Sequence, residues 1–104
     1  MKFELITNDN KKYYRTNFIK WMEKNYPNIR RPDIICSNIM LSIKNNIGFS
    51  INDLILGEIL LDEYEKRYII YFESINRKSP TNHAKVHVWN AYFFLEFINE
   101  TYTL

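Results

Sequence analysis

Two histidines, His83 and His87, stand four residues apart, the separation at which two imidazoles on one helix face can bind a single metal ion. Zinc asks for two further ligands, and the H-E-x-x-H arrangement is missing, because the residues between are Ala84, Lys85 and Val86. A cation at Lys85 is unhelpful beside a metal. The pair therefore reads as solvent-facing or partner-contacting. Asp62, Glu63 and Glu65 offer carboxylates of the kind that divide acid–base work. Such groups must be enclosed before their pKa values diverge, and acids gathered at a helix start read instead as a solvated face favoured by the helix dipole. Cys36 is the single cysteine and cannot form an internal disulfide. It reads as a small buried hydrophobe, with no local base or helix N-terminus to activate its thiol. Neither a G-x-S-x-G elbow nor a Gly-rich phosphate loop nor a Cys–His pairing occurs, and only two glycines are present. The expectation is a protein without catalytic residues, metal or cofactor.

Binding chemistry is more visible than catalysis. Arg30 and Arg31 precede Pro32, and Arg77 and Lys78 precede Ser79-Pro80. Each pair stands just before the start of an expected helix, where free backbone N–H groups favour anions. Lys85 follows in the first turns of the last helix, and Lys11, Lys12 and Arg15 are expected to add to the first cluster. Residues 1–52 hold nine Lys/Arg against four Asp/Glu, a net +5, while residues 53–104 hold five against eight, a net −3. The first half is the expected face for an anionic partner, although an overall +2 is too mild to demand nucleic acid. Arg30, Arg31, Arg77, Lys78 and Lys85 are thus the candidate contacts to duplex DNA, through phosphates and without base readout. Against this stands an ordinary solvated surface.

The elements that must carry these residues are helices. Two glycines and three prolines leave too few turn residues for a sandwich or small barrel. Tyr14, Phe18, Trp21 or Met22, and Asn25 mark one apolar stripe from about Lys12 to Asn25, ended by Pro27. Pro32 and Asp33 open a second helix in which Ile35, Ile39, Ile43 and Ile47 recur every fourth residue up to Gly48, a left-handed cap candidate. Ser50 and Asp53 resemble a capping box for a short third helix through Leu56. After Gly57, a helix is expected over 58–75, with Leu61, Tyr64, Tyr68, Tyr71 or Phe72, and Ile75 facing inward. Ser79 is expected to cap the last helix, which runs to about Asn99 on a main stripe of Ala84, Val88, Ala91 or Tyr92, Leu95 and Ile98, widened by Trp89, Phe93, Phe94 and Phe97, so that it should be the central helix, contacted on several sides. Phe3, Leu5 and Ile6 form a short strand or an irregular arm. The fold class is all-α, a bundle of four to five helices in one domain over 1–104, with 13–99 its helical core. With 16% aromatic residues, large rings should build the interior.

Taken in order, the Phe18-Ile19-Lys20-Trp21-Met22 opening helix, the Ile-spaced helix from Pro32 to Asn46, and Ser79-Pro80-Thr81-Asn82 followed by Ala91-Tyr92-Phe93-Phe94-Leu95-Glu96-Phe97 resemble the SAM-like N-terminal core-binding domain of tyrosine recombinases and integrases. The resemblance covers about residues 13–99 and lies in helix lengths, caps and aromatics, not in signature residues. It implies a module that clamps one side of a DNA duplex, with no activity to transfer, since the domain that cuts in that family has no counterpart here.

Two other classes compete. One is a protein-binding adaptor, or an inhibitor of a host nucleic-acid-processing complex of the mobile-element type. It would use Tyr13 and Tyr26, which with Tyr102 fall outside the stripes, and the acids Glu58, Asp62 and Glu63, which can occupy a site built for nucleic acid. The other is a homodimer through the wide aromatic face of the last helix. No apolar run approaches the ~20 residues of a membrane span, and the lone cysteine and lack of a signal peptide suggest a reducing, cytoplasmic setting.

Overall fold

Thr7 to Asn10 form a tight polar turn that launches the first helix: the Thr7 N–H donates to Asn10 Oδ1 (2.7 Å) and Asn10 Nδ2 to the Leu5 carbonyl (2.9 Å). The computed structural model describes residues 1–44 and 47–104, with Lys44 as backbone only. Its elements are α1 (Lys11–Asn25), α2 (Pro32–Leu41), a 3-10 turn (Ser42–Lys44), α3 (Ile51–Ile55), α4 (Leu61–Ser74) and α5 (Pro80–Thr101). The architecture is the expected all-α bundle. Among the described residues no strand forms. The N-terminal arm stays irregular and makes one isolated parallel bridge, Lys2 with Thr103, in which Phe3 N–H donates to the Thr103 carbonyl (2.8 Å) and Thr103 N–H to that of Met1 (2.7 Å).

α5 is the central rod. Its buried face is Ala84, His87, Asn90, Ala91, Phe93, Phe94, Phe97 and Ile98. Most of the expected stripe is buried, but Val88 and Leu95 are only partly covered and Trp89 is exposed, because the covered arc of α5 turns toward α4, α2, α3 and α1. α4 runs antiparallel to α5, with Tyr68 against His87 and Phe72 against both His83 and His87. Ala84 and Ala91, both fully covered and a heptad apart, keep that seam narrow. On the other side Phe18 packs on Phe94 and Phe97 (centroids 5.1 and 5.5 Å), Trp21 on Phe97, and Tyr26 on Phe93. Phe3, Tyr14 and Tyr102 extend the ring cluster. Tyr102, expected outside the core, is therefore buried.

Several boundaries move. α4 starts at Leu61, not Glu58, because Gly57 holds φ +77° and Leu60 is still extended, leaving Glu58 in a loop. Ile75 ends exposed rather than inward, since α4 stops at Ser74. Asn25 also faces solvent. Of the Ile-spaced run, Ile35, Ile39 and Ile47 are buried and Ile43 partly so, but the helix itself ends at Leu41, and the expected stretch at Asn45 and Asn46 lies outside the described residues. Gly48 does adopt the left-handed conformation, φ +81°. Ser42, fully buried, joins α2 to α3: its hydroxyl donates to the Ile39 carbonyl and accepts from Ile51 N–H, both 2.9 Å. The Ser50–Asp53 capping box forms in both directions. The Ser79 cap does not. Ser79 itself sits at φ +55° and makes no side-chain cap bond; its carbonyl instead receives the His83 N–H (3.1 Å).

Candidate nucleic-acid interface

α1 and α2 form an antiparallel hairpin through their apolar faces, so the start of α1 lies beside the end of α2. Arg15 reaches across and donates from Nη1 to Ser37 Oγ (2.9 Å), while Ser37 Oγ donates to the Asp33 carbonyl (3.0 Å). Between the helices runs an open groove of about 370 Å³, lined by Lys11, Lys12, Arg15, Ser37, Met40 and Leu41. Three cations and a hydroxyl form its wall, Met40 and Leu41 its floor, and no carboxylate lines it. The first turn of α1 also holds no acid. Neither lysine nor Arg15 has a carboxylate partner among the described residues, where the ion pairs are Arg31–Asp33 and Arg67–Glu63. Beneath the groove Cys36 is fully buried. Desolvation pushes its thiol up to about 11, with the Arg15 charge pulling weakly the other way, so it is held as an unreactive thiol.

The remaining basic groups do not join this groove. Arg31 grips Asp33 with two bonds, Nε to Oδ1 at 3.0 Å and Nη2 to Oδ2 at 2.9 Å. This fork holds the Asp33 carboxyl at about 2, with help from the N–H groups of Asp33 and Ile34. The anion-binding start of α2 is thus occupied by the chain's own carboxylate. Arg30, in the same loop, is exposed and unpaired among the described residues. It belongs to the far end of the hairpin from Lys11, whose helix is about 22 Å long at 1.5 Å per residue. Lys11, Lys12 and Arg15 therefore do not extend the Arg30–Arg31 cluster. Arg77 lies over the Phe72 ring (5.9 Å) beside exposed Lys78, at the α4–α5 turn. Tyr26 meets α5 at Phe93, roughly 20 Å along the helix from Pro80, so the Arg30–Arg31 and Arg77–Lys78 pairs occupy separate regions. Lys85 projects from the exposed side of α5.

The candidate partner-contacting residues divide similarly. Tyr13 is about half exposed, its hydroxyl donates to Met1 Sδ (3.2 Å) and its ring meets that of Tyr14 edge-on. Tyr26 is partly buried, with its hydroxyl 2.9 Å from both Glu96 oxygens; that hydrogen bond raises its pKa and engages the group internally. Glu58 and Asp62 are exposed, whereas Glu63 pairs with Arg67 (3.2 Å), whose guanidinium also covers the Phe49 ring.

His83 and His87 correct the expectation that both face outward. His83 Nδ1 lies 3.0 Å from the Ser79 carbonyl oxygen, but His87 is buried and stacked on Tyr68 at 4.3 Å. Burial, followed by the charges of His83 and Arg77, lowers its pKa to about 4. His87 Nδ1 and Asn90 Nδ2, one turn apart, have no hydrogen-bond partner. Among the described residues no group of three or more His, Cys, Asp or Glu is placed to hold a metal ion. Among the described residues no helix is long and apolar enough to cross a membrane.

The sequence lists Lys11, Lys12 and Arg15 but gives no means of seeing that they face the end of α2. The available signal was the set of cations on the first turns of α1 without an intervening acid. No protein-family model, curated protein or solved structure matches the chain.

Proposed function

We propose that the protein is a non-enzymatic module that binds the phosphate backbone of duplex DNA through the α1–α2 groove. The observation that carries this reading is the alignment of Lys11, Lys12 and Arg15 along one open channel that no carboxylate lines. Unpaired cations exchange their counterions for phosphates without first breaking an internal ion pair, which distinguishes them from Arg31. The Arg15–Ser37 bond fixes the guanidinium across the channel and lowers the ordering cost of a contact. Arg30 supplies a second anchor at the far end of the hairpin, and Lys78 a peripheral one. About 20 Å of duplex carries roughly a dozen phosphates, so cations spaced along this hairpin meet a dense array of acceptors. The mode is sequence-independent, since nothing in the groove is arranged to read base edges. The likeness of the helix pattern to the core-binding domain of tyrosine recombinases supports the same role, a clamp on one side of the duplex.

The apolar floor of Met40 and Leu41, with Ile34 exposed farther along α2, favours a second reading. In it the channel takes an acidic, partly apolar segment of a protein. Fluorescence anisotropy with a labelled 20-base-pair duplex at low salt separates the two. The wild type should bind and Lys12→Glu/Arg15→Glu should lose at least ten-fold in affinity. Wild-type protein that leaves the duplex free at low salt overturns the nucleic-acid reading.

A further inference from the structure

The side of α5 that faces away from α1 and α4 carries a second surface, independent of the groove. Trp89 is 54% exposed and Tyr92 60%, while Phe93, Phe94 and Phe97 on the same helix are buried. Asn82, Lys85, Trp89, Tyr92, Glu96 and Asn99 follow at steps of three, four, three, four and three, which is the seam spacing of two packed helices. All of these are exposed except Glu96, which is partly covered by Tyr26. Val86 borders the seam and is half exposed.

We infer that the protein self-associates through this seam as an antiparallel two-fold dimer whose axis passes between Asn90 and Ala91. The sequence of the seam is complementary to its own reverse. An axis at that point sets Trp89 against the partner's Tyr92, Lys85 against the partner's Glu96, and Asn82 against the partner's Asn99. Each pair then occurs twice, as an isologous contact requires. The central pairs join two half-exposed rings, the residue types that dominate interface energetics. The flanking pairs join opposite charges. Lys85 has no carboxylate partner within its own chain among the described residues, and Glu96 is already held on the seam by the Tyr26 hydroxyl. A parallel arrangement fails this charge test, because it opposes Lys85 to Lys85 and Glu96 to Glu96. Moving the antiparallel axis onto Trp89 sets Lys85 against the partner's Phe93 and leaves its charge unpaired. With α5 about 33 Å long and a seam one helix wide, the buried area belongs to the small, transient class of interfaces. The dimer is weak and concentration-dependent.

Sedimentation velocity from about 5 µM to 1 mM should show a monomer giving way to a dimer, an exchange expected around the micromolar dissociation constants of small interfaces. Trp89→Ala should abolish the dimer. Lys85→Glu should weaken it at least ten-fold, and the swap Lys85→Glu/Glu96→Lys should restore it. Cysteine cross-linking reads the direction without relying on those variants: Asn82→Cys/Asn99→Cys should give a reducible dimer, while Asn82→Cys alone should not. A monomer throughout the concentration range overturns the inference, as does a dimer indifferent to Trp89→Ala or one cross-linked by Asn82→Cys alone.

Discussion

Lowering the pH from 7 to 4.5 should cost this protein stability through one buried imidazole. His87 lies between α4 and α5, stacked on Tyr68, with Nδ1 unpartnered. Its pKa is lowered from 6.5 to about 4, by burial first and then by His83 and Arg77. The sign follows from which state takes up protons. Between pH 6.5 and 4 the unfolded chain protonates this histidine and the folded chain does not, so the stability it contributes is complete above 6.5 and is lost as pH falls toward 4. A displacement of that size corresponds to about 3 kcal/mol, most of which is gone by pH 4.5. That is a large share of the ~5–15 kcal/mol typical of a small domain. The Asp33 carboxyl, held at about 2 by Arg31, titrates below this window and leaves it clear. Urea unfolding followed by circular dichroism at 222 nm at pH 7, 6, 5 and 4.5 measures the loss. His87→Phe, which keeps an aromatic ring against Tyr68 and removes the unpartnered nitrogen, should flatten the pH dependence by about the same amount. A wild type equally stable at pH 7 and 4.5, or an unchanged slope in His87→Phe, would refute the reasoning.

Other consequences test the fold around the groove. Ser42→Ala removes the acceptor for the Ile51 N–H in a fully buried place and should destabilise by about 1–3 kcal/mol in the same unfolding assay. Ser79→Gly relieves a left-handed backbone at φ +55° and should stabilise by about 0.5–1 kcal/mol, visible as a raised melting temperature. Phe18→Ala, at the meeting of α1 and α5, should cost about 3–5 kcal/mol. Cys36 in the native protein should resist a thiol reagent such as dithionitrobenzoate at pH 8 and react promptly in urea.

Much of the fold was legible because few signals competed. Apolar residues at steps of three and four place α1, α2 and α4, and Pro27, Pro32, Gly57 and the Ser50 box punctuate them. What misled were residues whose ordinary meaning is set by position alone. Ser79 next to Pro80 has the composition of a cap, yet the tight α4–α5 turn forces it into the left-handed region, where its hydroxyl cannot reach the helix start. His87 and Asn90 look polar in a hydropathy pattern, but their place at the α4 seam buries them. That leaves Val88 and Leu95 at the edge of the covered face and Trp89 outside it, while Phe93, Phe94 and Phe97 are buried as their spacing suggests. The candidate site was harder still. Arg31 and Lys12 are equivalent in a charge count, and only the bidentate contact with Asp33 separates an occupied cation from a free one.

The salt dependence of duplex binding bears most directly on the proposed role. If Lys11, Lys12, Arg15 and the anchor Arg30 each neutralise one phosphate, a plot of log affinity against log salt should fall with a slope of about −3.6. Raising salt from 50 to 200 mM should then weaken binding roughly 150-fold, and Lys12→Glu/Arg15→Glu should reduce the slope to about −2 or shallower. Binding that ignores salt, or a double variant with the wild-type slope, would contradict a phosphate clamp at the α1–α2 groove.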